Sequence, residues 1–162
     1  MPDIYTLLSP EIEGLLGSPA HGWQGPADSD GLTSICSWCH RDLTPDGPRL
    51  MERVLHVSAS LYRDSATTSG DDMAQMSRDQ AITDLRLRFQ DAPCVGEGAV
   101  LATAPGKAIV LLTVDNVLVR LKLLGLDRDT NGEVVEVAAT QAADVVNVTA
   151  REITRRLEQL LR

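Results

Sequence analysis

Aromatic side chains are scarce in this chain: two Trp, two Tyr and one Phe, 3% of 162 residues. So few rings leave little with which to stack the bases of a single strand. Basic charge is short as well, because 23 Asp and Glu outweigh 15 Lys and Arg to give a net charge of -8. Nucleic-acid affinity draws on clustered Lys and Arg that release counterions, so no nucleic-acid partner is expected. Arg86 and Arg88, and Arg151, Arg155, Arg156 and Arg162, do gather, but each group fits the solvated face of a helix. No apolar run approaches the ~20 residues that cross a bilayer. The opening residues MPDIYTLLSPEIE lack the basic start and continuous apolar stretch of a secretory signal. A soluble, acidic, cytoplasmic protein, or part of an intracellularly assembled particle, is the expectation, with no membrane partner.

What is present is a globular balance of 43% hydrophobic and 23% charged residues, in a length that buries a core without staples. The pattern changes near Pro93. Before it, apolar residues recur mostly at helical spacing; after it, at strand spacing. Ser9, Pro10 and Gly17 bracket a short helix, and residues 18–34, crowded with Gly, Pro, Ser and Asp, read as a loop. Residues 44–48, TPDGP, form a turn into a helix whose stripe is Leu50, Met51, Val54, Leu55, Ser58, Leu61 and Tyr62. Ser77 with Gln80 writes a capping box for a second helix carrying Ala81, Ile82, Leu85 and Phe89.

Beyond Pro93 a meander is expected: AVLAT and KAIVLLTV around the Pro105-Gly106 turn, then VLVRLKLLG after the tight Asp115-Asn116. In that third strand Val117, Val119, Leu121 and Leu123 alternate with Leu118, Arg120 and Lys122, one face buried and one wet. Asn131-Gly132 turns the chain back. Residues 134–148 fit either period, and 134–139 are read as strand. Thr149 and Glu152 form a second capping box, opening a closing helix with Ala150, Ile153, Leu157, Leu160 and Leu161 on one side. The fold class is therefore α+β, with N-terminal helices packed on a C-terminal antiparallel meander of four to five strands and a closing helix. Residues 1–34 make a short helix and loop-rich arm. Residues 35–162 make a single domain, helical over 35–92, with sheet and C-terminal helix over 93–162.

One motif stands out. Cys36-Ser37-Trp38-Cys39-His40 spells the attachment box of a c-type haem, but neither an export signal nor an aromatic pocket accompanies it. A redox C-x-x-C wants a buried strand before it and a helix after it, and the preceding GLTSI is a poor central strand. Zinc fits better, since thiolates two residues apart on a knuckle can hold one tetrahedral ion if two further ligands arrive. The candidates for those places are Cys94, His21, His56 and His40, the last less favourably because it adjoins Cys39. A structural zinc would then be the one cofactor. The competing reading buries both thiols as small apolar groups beside Trp38.

The segment LTSICSWCHRDL also resembles a cysteine knuckle of some bacterial sensor proteins, in which a second cysteine pair follows. That pair is missing here, and no role carries over. SASLYRDSATTSG is similar to a helix and loop of phage head-tail adaptor subunits. Asp127, Asp129, Asn131 and Gly132 begin like a calcium loop, but Ala138 stands where the bidentate Glu belongs. Gly106-Lys107 lacks the rest of a phosphate loop. A Cys94 dyad with His40 or His56 is imaginable, and nothing in the sequence selects it. The functional expectation is a non-enzymatic protein-interaction or assembly module that self-associates through the C-terminal helix or the sheet. A zinc-stabilised regulatory or sensory domain is the alternative.

Overall fold

Strict alternation of apolar and polar residues builds most of this molecule. A computed structural model describes residues 3–5, 12, 14–16, 21–25, 32–42, 44 and 50–161. Among these residues, eight strands form one antiparallel sheet: β1 (His21–Gln24), β2 (Thr33–Arg41), β3 (Leu50–Leu61), β4 (Gln90–Asp91), β5 (Val100–Ala104), β6 (Lys107–Val114), β7 (Val117–Arg128) and β8 (Val134–Glu136). Their spatial order is β1-β2-β3-β7-β6-β5-β4, with β8 pairing the end of β7. Two long helices accompany them, α1 (Gly70–Leu85) and α2 (Ala139–Leu161). Helical backbone also occurs at Ile12 and Gly14–Leu16, inside the expected first helix. Its expected cap Ser9, with Pro10 and Gly17, lies outside the described residues, as do residues 45–48 of the expected turn.

The α+β class holds, but the sheet is larger than four to five strands and helices play little part in the first half. Residues 50–62, expected as a helix, are the long strand β3. Leu55, Val57 and Ala59 face the core while His56, Ser58 and Ser60 face the other way, and β3 pairs with β7 from Leu50↔Asp127 to Leu61↔Val117. That partner is remote in sequence. The loop-rich arm contributes β1, which pairs β2 through His21↔Cys39 and Gln24↔Cys36. Within residues 35–92, β2 and β3 replace most of the expected helix.

The meander follows its sequence signals. Ala104↔Lys107 and Val114↔Val117 close two-residue turns, with Gly106 at φ +70 and Asp115 at +48 supplying the left-handed backbone that tight turns need. Helix α1 starts at Ser69 rather than Ser77, the Ser69 hydroxyl accepting from Asp72 N–H. The end of β3 is tied to the β6–β7 hairpin by Asn116 donating to the Tyr62 carbonyl, and the helix starts close against it: a Cβ at Gly70 would stand 2.6 Å from that same oxygen. Helix α2 starts ten residues before the expected cap. Thr149 lies within it, its hydroxyl donating to the Val145 carbonyl at 2.9 Å.

The two faces of the sheet are covered differently. On the core face, Val110 and Leu112 of β6 and Val119, Leu121 and Leu123 of β7 lie under α2, whose stripe is Ala142, Val146, Ala150, Ile153 and Leu157, and the same cluster takes in Cys36 and Trp38 of β2, Leu55 and Val57 of β3, and Ile4, Ile12 and Leu16. Each Val, Leu or Ile among them contributes about 1.5–3 kcal/mol by leaving water. On the outer face, α1 lies over β6 and β7 and buries Ile109 and Leu111. The β1-β2-β3 half of that face carries no helix among the described residues. Among the described residues, no helix is long and apolar enough to cross a membrane.

Candidate functional site

Strand parity decides what the cysteine motif can do. Because β2 is regular from Thr33 to Arg41, Cys36 and Cys39, three apart, point to opposite faces. Cys36 is fully buried on the core side, its Sγ 3.9 Å from the Val57 carbonyl. Burial, with Asp3 adding a smaller push, drives its thiol pKa up to about 12, so it is a packed, protonated group. Cys39 is half-buried on the outer face opposite His21. His40 is buried on the core side, His56 sits on the outer face, and Cys94 is exposed in the turn after β4.

The structure thus sets His21 directly opposite Cys39, with His56 a diagonal step away on the same face, and places Cys36 and His40 on the other face and Cys94 beyond β4. A lone pair is two ligands short of a tetrahedral site. Among the described residues, no three His, Cys, Asp or Glu side chains gather around one point. Asp127, at the start of the calcium-like loop, is turned inward to Arg53. Asp129 instead ties the hairpin by accepting from Asn131 N–H at 2.8 Å and Glu133 N–H at 2.9 Å. A thiol reagent at about pH 8 should label Cys94 rapidly and Cys36 only after unfolding; mass mapping of the modified peptides reads this. Equal labelling of both in the folded protein would contradict the burial of Cys36.

Two surfaces do offer something to a ligand. The first is the open half of the outer face. Antiparallel register lines up Trp23, Ser37, His56 and Lys122 across β1, β2, β3 and β7, with Ser58 and Arg120 in the next row. The Ser37 hydroxyl and His56 Nδ1 are 2.6 Å apart. This bond and partial burial hold the ring in place, and burial, with Lys122 beside it, lowers the imidazole pKa. Ile35, His56, Ser58, Arg120 and Lys122 line an open groove of about 410 Å³. Exposed Trp23 (49%) and Ile35 (42%) stand on the same face.

The second surface is α2. Its apolar stripe is buried as far as Leu157, yet Leu160 and Leu161 continue it at 54% and 39% exposure. Farther back along the helix, Val148 and Thr149 face Ile12 and Leu15 across a mostly apolar groove of about 530 Å³. Glu152, on its rim, is held ionised by Arg155 and Arg156, which pull its pKa down to about 2.

Sequence reading located Arg120 and Lys122 on the wet side of their strand, and left His56 and Ser37 unconnected to them. Recognising 50–61 as a strand would have supplied that link. Together these features define an antiparallel α+β domain with, among the described residues, an exposed apolar helix end and a basic half-face of the sheet. Comparison with protein-family models, with curated proteins and with solved structures gives no match to this chain.

Proposed function

We propose that this protein is a non-enzymatic interaction module that self-associates through the C-terminal end of α2, as a subunit of a larger assembly. The observation that carries this reading is the apolar stripe of α2 running past its cover to Leu160 and Leu161. Burying two leucines is worth about 1.5–3 kcal/mol each. The same chain offers an apolar recess of matching character between Ile12, Leu15 and Val148. Reciprocal insertion of one copy's helix end into its partner's groove buries both, and closes as a two-fold dimer.

Light scattering coupled to size exclusion tests this on the intact chain. The expected mass is twice the 17.5 kDa of one chain, returning to a single chain in the double variant Leu160→Glu, Leu161→Glu with its circular dichroism unchanged. A strict monomer at high concentration would remove the self-association reading.

A further inference from the structure

The outer face carries a charge pattern that self-association through α2 does not use. In a chain of net charge -8, Arg120 and Lys122 stand side by side on β7, half-buried. Neither forms an ion pair among the described residues, whereas Arg41, Arg53, Arg78, Arg155 and Arg156 all do. His56 is the register partner of Lys122 and Ser58 of Arg120. The titratable groups facing His56 are Cys39 from β2 and Arg120 and Lys122 from β7; β1 adds His21 beyond Cys39. The one carboxylate of β3, Glu52, lies four residues away and is engaged by Arg41 at 2.6 Å.

We propose that this half-face is a docking site for an acidic, extended peptide segment of a partner protein, with Arg120 and Lys122 holding its carboxylates and Ile35 and Trp23 receiving an apolar side chain. The spacing favours a peptide over a single small anion. Alternate residues of a strand lie ~6.5–7 Å apart, the separation of alternate side chains in an extended peptide that sets its carboxylates on Arg120 and Lys122 and continues across β3 and β2 toward Ile35 and Trp23. The flanking Ile35 and Trp23 offer apolar surface that an inorganic ion cannot use. Long-range repulsion from the acidic remainder of the chain is screened beyond ~8 Å at physiological salt, so the local cations govern contact.

His56 makes the site pH-dependent. Free, its imidazole is held neutral to lower pH than usual by burial and by Lys122. A bound carboxylate offsets that repulsion and raises the pKa, so docking takes up a proton. Affinity therefore rises as pH falls through the interval between the free and bound values.

The test is a titration of the intact protein with a short synthetic peptide of Glu, Leu and Ser, read by Trp fluorescence. Only two Trp are present, and Trp38 is buried, so Trp23 reports the surface. We expect saturable binding that weakens between ~0.05 M and ~0.5 M salt and tightens from about pH 7.5 to about pH 5.5. Arg120→Gln and Lys122→Gln should each cost about fivefold in affinity. His56→Ala should abolish the pH dependence, and Arg88→Gln, an exposed arginine elsewhere, should change nothing. Circular dichroism and thermal melts confirm that the variants fold. Unchanged binding in the Arg120→Gln, Lys122→Gln double variant would overturn the proposal, as would equal binding of a Lys-for-Glu peptide. Competition by inorganic phosphate at the peptide's own concentration would reassign the site to a free oxyanion. Loss of the dimer mass in the double variant would reassign it to a second copy. Each result is distinct from failure of the α2 interface, which leaves peptide titration intact.

Discussion

Asp127→Ala should cost about 3–5 kcal/mol of folding stability, a large share of the 5–15 kcal/mol that holds a typical domain together. Arg53 is 2% exposed, on the core side of β3, and its guanidinium donates to Asp127 Oδ1 at 2.7 Å and to the Leu126 carbonyl at 2.9 Å. Its stem crosses Gly125, where an added Cβ would come within 3.0 Å of Arg53 Cδ. Removing the carboxylate strands a buried cation with carbonyls alone. Asp127 keeps 12% side-chain exposure, so water relieves part of the loss, placing the effect in the lower half of the range. The paired replacement Arg53→Met with Asp127→Leu should lie within about 1–2 kcal/mol of the natural protein, because no unpaired charge is left. Urea unfolding read by circular dichroism measures both. A loss below about 1 kcal/mol for Asp127→Ala would show that the ion pair does not anchor β3 to β7.

That ion pair marks a boundary of what the sequence could disclose. The meander was legible because its information is local: two-residue turns at Pro105-Gly106 and Asp115-Asn116, and alternation from Val117 to Leu123, fix register among neighbours. β3 was not, because residues 50–62 satisfy two periods at once. Leu50, Val54, Leu55, Ser58 and Leu61 fit a helix, and Leu55, Val57, Ala59 and Leu61 fit a strand. Pairing with β7, whose residues lie 56 to 77 positions away, decides between them.

Everything at the candidate site inherited this error. With β3 read as a helix, the meeting of His56 with Ser37, Arg120 and Lys122 could not be foreseen. The cysteine motif changes meaning for a similar reason, since the spacing of a metal knuckle sets Cys36 and Cys39 on opposite faces once β2 is extended. The helix starts were missed for another reason. Ser69 with Asp72 uses the same side-chain capping logic as Ser77 with Gln80, but Gly70 at the first helical position hid it. The propensity cost of that glycine, about 1 kcal/mol, is accepted because any side chain there would strike the Tyr62 carbonyl.

Trp38 offers the other large effect, and its two replacements should separate packing from polarity. It is the largest fully buried side chain of the described core, stacked on Tyr5 with ring centroids 5.7 Å apart and planes 9° from parallel. Gly22 of β1 makes this possible, since a Cβ there would stand 2.7 Å from the indole. Trp38→Ala should therefore cost about 3–5 kcal/mol, removing the platform on which Tyr5 and the edge strand β1 rest. Phenylalanine behaves differently because the indole Nε1 is buried with no hydrogen-bond acceptor among the described residues. An unsatisfied buried donor carries a penalty of about 1–3 kcal/mol, which Trp38→Phe removes while keeping a ring against Tyr5. The gain offsets most of the lost volume, and the net change should stay within about 1.5 kcal/mol. Denaturant midpoints for the two variants supply the comparison, and near-ultraviolet circular dichroism reports whether the aromatic stack survives. Equal losses for Phe and Ala would mean that the indole nitrogen is satisfied in solution, and that the Trp38 core gains more from its polar edge than from its ring.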